Sequence, residues 1–273
     1  MKRLVLSAFL VTIFCLSAIE PVWALKPEKE YKVTPNKFGM NFKEERITTP
    51  DGAILNAWFF DAAKKTTNWI VISGSGDGNM ADNLELANQF LSAGYNVVTY
   101  DYRGYGASSD FEIDPDLFIY PQFIVDLNAV LDYLRKSRAI TKFDLFGRDI
   151  GGGLSIGVGA NRVETKKIIA DGPWISLETM QRKLKDKKGK EVNLPFGYDK
   201  TYEPQFALDG KRQHLRGVMI IVSPNDELVT PQDTKVMKGV SSLFVVKESP
   251  SNKEEFTTNK NDYFDKISKF LNS

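Results

Sequence analysis

Cysteine and histidine are almost absent from the sequence, with one of each among 273 residues. The cysteine, Cys15, lies in an apolar N-terminal run behind Phe14, whereas a lipid-anchor site would need a small residue there. If that run is removed, the mature chain has no cysteine. This would exclude disulfides, thiolate nucleophiles and cysteine-rich zinc sites. The single histidine limits the chemistry further, as argued below.

A dominant charge is also missing. The chain has 36 basic and 35 acidic residues, so no strong positive field favours nucleic acid or a membrane surface as a partner. Hydrophobic residues make up 42% of the sequence, which is enough for a full core. The length allows one large domain or two small ones.

The apolar N-terminal run, Leu4–Ile19, covers 16 residues, and a membrane-spanning helix needs about 20. Lys2 and Arg3 precede it, and the sequence Val22-Trp-Ala24 offers small residues at the usual cleavage positions. We therefore predict a signal peptide over residues 1–24, cleaved after Ala24, and no stable membrane span in the mature protein. The protein is expected to be exported to the periplasm or the extracellular space.

From Phe42 onward, strand-like and helix-like segments alternate. Two strand-like runs flank Pro50-Asp-Gly52 and predict a β-hairpin. The later pattern predicts an α/β fold with a mostly parallel central sheet and helices on both faces. Residues 175–211 contain no clear strand and are interpreted as a short cap-like insert within a single domain, 25–273. In such folds ligands bind at the carboxyl ends of the strands.

The segment Gly147-Arg-Asp-Ile-Gly151 follows a short apolar strand and precedes a glycine-rich helix. This is the pattern of a nucleophile elbow, in which a G-x-S-x-G turn presents one side chain to the active site. Here Asp149 occupies the position of the serine.

Four features together resemble the α/β-hydrolase superfamily: the hairpin, the strand before Ser73-Gly74, the loop Asp101-Tyr-Arg-Gly-Tyr-Gly106, and the elbow. The chain is most similar to the serine-aminopeptidase-like and acyl-thioesterase-like bacterial esterases of that superfamily.

The resemblance implies a role for several positions. Asp149 would take the nucleophile position and Asp226 the position of the acid. The backbone N–H of Ile150 and one near Gly74 or Ser75 would form the oxyanion hole. It implies a small-molecule ligand and no cofactor, and it leaves the ligand and the oligomeric state open.

The family's general base is a histidine after the last strand, but the segment 248–256 contains none. His214 precedes the predicted strand Gly217–Ser223, and Asp226 follows it. Seven strand residues separate the strand ends by roughly 20 Å. Hydrogen-bond reach is about 3 Å, so His214 is expected at the wrong end of the sheet. Serine-hydrolase activity is therefore not expected.

Three functions remain open. We favour a degenerate, non-catalytic or altered member that binds a small ligand in the former active site. The second is an active hydrolase that attacks an ester, epoxide or alkyl halide with Asp149, as haloalkane dehalogenases and epoxide hydrolases of this superfamily do. That enzyme would lack the base that activates water in those relatives.

The third is an acidic pocket for an amine or a hard cation, because Asp149, Asp171 and Asp226 all follow predicted strands and Asp77 lies in a nearby loop. Arg148 or Arg103 could instead neutralise these carboxylates.

A partial dinucleotide-binding pattern, Gly74-Ser-Gly-Asp-Gly78, is also present, but its third glycine is replaced by Asn79. The N-terminal hairpin has no place in that fold.

Overall fold

The computed structural model describes residues 25–208, 214–223, 226, 228–237, 243–246 and 260–273. The predicted signal peptide, residues 1–24, lies outside the described residues and stays a prediction, as does export. None of the described helices is both long and apolar enough to cross a membrane.

The strands are β1 (Lys26–Pro27), β2 (Lys43–Thr48), β3 (Ile54–Phe60), β4 (Trp69–Ser73), β5 (Asp77–Gly78), β6 (Asn96–Tyr100), β7 (Phe143–Arg148), β8 (Thr165–Asp171), β9 (Gly217–Ile221) and β10 (Leu243–Val246). The α-helices are α1 (Leu84–Ser92), α2 (Pro121–Arg138), α3 (Asp149–Ala160), α4 (Leu177–Lys188), α5 (Pro204–Ala207) and α6 (Lys260–Asn272). Short 3-10 helices cover Pro35–Phe38, Met80–Asn83, Lys200–Tyr202 and Asp233–Met237.

Eight of the described strands form one sheet in the order β10-β9-β8-β7-β4-β6-β3-β2. The pairs β2–β3 and β3–β6 are antiparallel, and the other five pairs of this sheet are parallel. The predicted fold class is thus confirmed, including the N-terminal hairpin.

Strand β4 shows why the sheet must be covered on both faces. Its five residues are all buried, which explains why the first four, Trp69–Ile72, form an uninterrupted apolar run. Trp69 and Val71 join a core cluster with residues of α2 and α3, whereas Ile70 and Ile72 join a second cluster with residues of α1 and α6. Because β4, β7, β8 and β9 run parallel to one another, their carboxyl ends lie along one edge of the sheet.

The segment predicted as an insert contains α4, α5 and one 3-10 helix. The buried face of α4, formed by Leu177, Met180 and Leu184, joins the same core cluster as α2 and α3. Three of the four lysines of α4, Lys185, Lys187 and Lys188, lie in its last turn, where positive charge interacts favourably with the helix dipole. Residues 209–211 lie outside the described part, and the role of the segment as a cap stays a prediction.

The segment before the hairpin is mostly irregular, but specific contacts attach it to the rest of the fold. Strand β1 pairs in parallel with β5, and Lys26 N–H donates to the Gly76 carbonyl at 2.8 Å. Further along, the Tyr31 hydroxyl donates to Asp101 Oδ2 at 2.5 Å. The polar composition hid this role because the segment binds mainly through its backbone and through one hydroxyl.

Candidate functional site at the elbow

The elbow is built by a strand that passes directly into a helix. Strand β7 ends at Arg148, and α3 begins at Asp149, whose φ is +48°. Residues with a Cβ rarely adopt positive φ, and such strain persists where the surroundings enforce it. The turn therefore has the backbone of a nucleophile elbow, with an aspartate side chain in the presented position.

The two flanking glycines allow this turn because other backbone passes very close to them. A Cβ on Gly147 would lie 2.1 Å from the carbonyl oxygen of Gly151. A Cβ on Gly151 would lie 2.4 Å from the carbonyl oxygen of Gly74. These contacts pack α3 against the ends of β4 and β7, which fixes the position of residue 149.

Asp149 is half-buried in the first turn of α3, where the helix dipole favours a negative charge. The neighbouring Arg148 is buried. Burial alone would lower the pKa of Arg148, but Tyr263, Asp171 and Asp149 raise it above its ordinary value. The carboxylate of Asp149 thus lies in the field of a guanidinium that remains charged.

Asp171, at the end of β8, is fully buried on the side of α6. The Tyr263 hydroxyl of α6 donates to Asp171 Oδ2 at 2.8 Å, and Arg148 Nε lies 3.7 Å from the same oxygen. Arg148 and Asp171 were predicted as pocket residues, and the structure joins them to each other and to the last helix. No sequence signal links residues 171 and 263.

Asp226 follows β9 and is half-buried. Its Oδ1 accepts hydrogen bonds from the N–H groups of Leu228 and Val229, at 2.7 and 2.9 Å. His214 lies before the start of β9, so the strand separates it from Asp226, as the sequence predicted.

Gly74 and Ser75 follow β4 and face the beginning of α3. The Gly74 carbonyl accepts a hydrogen bond from the Tyr102 hydroxyl at 3.0 Å, and Ser75 is half-buried. Ile150 is buried at the second position of α3, where N–H groups have no acceptor within the helix. Its carbonyl accepts from Trp174 Nε1 at 3.4 Å. The residues implied as oxyanion donors thus belong to two segments in contact.

Arg103 is not a counterion of these carboxylates. Its guanidinium donates to Asp126 Oδ1 at 2.7 Å and to Asp51 Oδ2 at 2.7 Å. The loop that carries Arg103 therefore ties the hairpin to α2. The structure favours Arg148 as the cation that acts on Asp149 and Asp171.

Within the residues that the structure describes, no three histidine, cysteine, aspartate or glutamate side chains are grouped to hold a metal ion. Asp171 contacts Tyr263, and Asp77 is exposed in β5. The described carboxylates thus give no support to a hard-metal site.

The chain is similar in sequence to several known proteins. Residues 67–195 match the family described as serine aminopeptidase, S33. The Arabidopsis thaliana α/β hydrolase domain-containing protein WAV2 is 29% identical over 174 residues, which cover 62% of this chain and 51% of that protein. The uncharacterized protein YfhR of Escherichia coli O157:H7 is 24% identical over 144 residues, which cover 50% of this chain and 49% of that protein. The chain spans about half the length of these relatives.

Among solved structures, the esterase Pf2001 of Pyrococcus furiosus superimposes with a TM-score of 0.72 at 17% identity, over 91% of this chain and 97% of the esterase. A proline iminopeptidase of Mycobacterium smegmatis gives a TM-score of 0.59 at 13% identity, over 84% and 98%. At such identities the likeness shows the fold alone. Together with the sequence matches, it supports the assignment of the chain to the α/β-hydrolase superfamily.

Proposed function

We propose that this protein binds a small ligand at the elbow and does not turn it over. One observation carries the proposal: Asp149 is held at positive φ in the nucleophile position of a chain whose single histidine precedes β9. The sequence has no serine at the nucleophile position and no histidine after β10, while the strained backbone is kept. Strain of about 1–3 kcal/mol at such a position is typical of functional sites.

The chemistry of the elbow suggests the class of ligand. The Asp149 carboxylate accepts hydrogen bonds, and the first-turn N–H of Ile150 donates one. A ligand that complements both groups has a donor next to an acceptor, as a carboxamide does. Its N–H would reach Asp149, and its carbonyl oxygen would reach the backbone donors. An amine could use Asp149 alone.

The proposal is tested with benzamide, benzylamine and benzoate as probes, in thermal-shift and isothermal titration measurements. Benzamide should bind most tightly, benzylamine more weakly, and benzoate least, because its charge opposes that of Asp149. Asp149→Asn should weaken benzylamine binding at least about ten-fold, since it removes the anion. Failure of all three probes to bind would contradict the ligand class.

The second candidate is a hydrolase with Asp149 as nucleophile, and it is supported by the same elbow geometry. A carboxylate oxygen could displace halide from an alkyl halide and form an alkyl ester of Asp149. Water would then have to cleave the ester, and the sequence provides no histidine after β10 to activate it.

Intact mass after incubation with activated esters, epoxides and haloalkanes separates the two candidates. Our proposal predicts no turnover of any of these compounds. Sustained product release that is lost in Asp149→Asn would establish the hydrolase instead. A persistent adduct on Asp149 would identify a reactive carboxylate whose second step stalls.

A further inference from the structure

The connection between β4 and α1 begins with residues 74–78, here called the glycine loop. Its carbonyl groups accept hydrogen bonds from residues of other segments. The Tyr102 hydroxyl donates to the Gly74 carbonyl at 3.0 Å, and the Tyr105 hydroxyl donates to the Gly76 carbonyl at 2.9 Å. Both tyrosines belong to the Asp101–Gly106 loop after β6. Two hydroxyls that are three residues apart thus bind carbonyls that are two residues apart.

The N-terminal segment holds the same loop from its edge. Lys26 N–H donates to Gly76 at 2.8 Å, and Glu28 N–H donates to the Gly78 carbonyl at 3.0 Å. Leu25 is buried, and a Cβ on Gly76 would lie 3.0 Å from Leu25 Cδ2 and 3.1 Å from Ile150 Cγ1. The glycine loop is therefore packed between the N-terminal segment and the elbow.

The direction of each carbonyl group determines the direction of the N–H group in the same peptide plane. The described residues contain no cis peptide bond. In a planar trans peptide the C=O and the following N–H point in opposite directions. Because the Gly74 carbonyl is directed at the Tyr102 hydroxyl, the Ser75 N–H must point away from it. In the same way, the hydrogen bond from Tyr105 to the Gly76 carbonyl fixes the peptide plane between Gly76 and Asp77.

We infer that Tyr102 is a positioning residue that orients the Ser75 N–H as the second backbone donor of the elbow site, and that Tyr105 supports it by holding the Gly76–Asp77 peptide plane of the same loop. The inference rests on the proposed function, because it assigns the group that receives the ligand's carbonyl oxygen. Neither tyrosine touches the ligand. Each acts through the peptide plane whose carbonyl it holds.

The surroundings of the two tyrosines suit this role. Both are 2% exposed, and both rings contact Phe123 of α2, with Tyr102 stacked on it at 4.7 Å between ring centres. Burial raises the pKa of both hydroxyls well above the ordinary value, so they stay protonated donors. Rigid rings with permanent donors give the carbonyls fixed partners. A simple packing role would need only the rings.

The test uses Tyr102→Phe and Tyr105→Phe in the full chain, because phenylalanine keeps the ring and removes the hydroxyl. Tyr133→Phe is the matched control: it removes a hydroxyl that donates to Glu45 at 3.1 Å, away from the elbow. The first measurement is the amide exchange rate of Ser75 and its neighbours by nuclear magnetic resonance, which requires no ligand.

Amide exchange in the glycine loop should accelerate at least about five-fold in Tyr102→Phe and in Tyr105→Phe, because the peptide planes are no longer held. It should be unchanged in Tyr133→Phe. The second measurement is the affinity for benzamide and benzylamine. Tyr102→Phe should weaken benzamide binding about ten-fold, the effect of one lost hydrogen bond, and leave benzylamine unchanged.

The two measurements separate the possible failures. Unchanged loop exchange in both variants would overturn the positioning role. Equal weakening of benzamide and benzylamine would also overturn it, because a general loss of structure would explain both. If neither probe binds the unaltered protein, the proposed ligand class fails, and the exchange rates still decide whether the tyrosines orient the loop.

Discussion

At the scale of single residues, Asp149 combines a strained backbone with a stabilised charge. Its positive φ disfavours most side chains, whereas asparagine and aspartate tolerate it best. The helix dipole then adds about 0.3–1 kcal/mol for a carboxylate in the first turn. Backbone and charge can therefore be tested separately at one position.

We predict that Asp149→Asn lowers the free energy of unfolding by less than about 1 kcal/mol, because only the charge interaction is lost. Asp149→Val should lower it by a further 1–3 kcal/mol or so, since a β-branched residue is strained at this φ. Chemical denaturation of the three proteins measures both effects. Equal stability of the two variants would contradict the described backbone.

The buried carboxyl group of Asp101 should make the stability of the protein depend on pH. Burial raises its pKa to about 6, although hydrogen bonds from Tyr31 and the Met80 N–H act in the opposite direction. Between about pH 4 and pH 6 the folded protein therefore keeps a proton that the unfolded chain has released. This contribution to stability is present at the low end of the window and is lost as the pH rises through 6.

Asp101→Asn should remove that contribution, because an amide does not titrate in this range. The free energy of unfolding of the unaltered protein should fall relative to that of the variant between pH 4 and pH 6, by ~1.4 kcal/mol for each pH unit. Asp126, whose pKa burial also raises to about 6, is present in both proteins and cancels. Parallel curves would show that Asp101 does not titrate as described.

At the scale of elements, α3 shows why glycines are placed in a helix that they weaken. A Cβ on Gly153 would lie 1.9 Å from Trp174 Nε1, and one on Gly157 would lie 2.0 Å from the carbonyl oxygen of Tyr202. The helix is thus held against the segment that follows β8 by close backbone approach. The sequence shows that this helix is rich in glycine, but it does not identify the packing partners.

Gly157→Ala should destabilise the protein by about 1–3 kcal/mol, although alanine alone favours a helix by about 1 kcal/mol. The carbonyl of Tyr202 belongs to the backbone and cannot move aside as a side chain would. Gly74→Ala is the control, since its Cβ would have 3.8 Å to its nearest neighbour. Thermal unfolding of both variants gives the comparison, and equal melting temperatures would contradict the described contact.

At the scale of the whole molecule, the last helix is fastened to the middle of the sheet. Lys167 of β8 is buried, and its ammonium donates to the carbonyls of Phe270 and Leu271 at 2.7 and 3.1 Å. Tyr263 reaches Asp171 from the same helix. Residues about one hundred positions apart thus join the C-terminus to the strand beside the elbow.

Lys167→Met should lower the free energy of unfolding by about 1–3 kcal/mol, because buried carbonyls lose a charged donor. Lys142→Met is the matched control: that ammonium also binds a carbonyl, of Val163 at 2.7 Å, but it is exposed and should contribute little. Equal losses of unfolding free energy in the two variants would show that the contact of Lys167 with the last helix does not stabilise the protein.

The fold could be predicted from the sequence because hydrophobic periodicity and turn residues are local properties of each segment. The predicted strand Gly217–Ser223 agrees with β9 to within two residues, and the hairpin was found at Pro50-Asp51-Gly52. Positions of the elbow followed from the family pattern. The contacts of Tyr31, Tyr102 and Tyr263 could not be predicted, since a hydroxyl carries no sequence signal for a carbonyl or carboxylate far along the chain.

The glycine pair around residue 149 has a consequence for evolution and for protein engineering. Because Gly147 and Gly151 fix the backbone by their contacts with neighbouring backbone, the side chain between them does not determine the shape of the turn. Any residue that tolerates the positive φ would project into the same space. Chemistry at this point can therefore change by a single codon while the architecture stays constant, which makes the elbow a natural position for installing new reactivity.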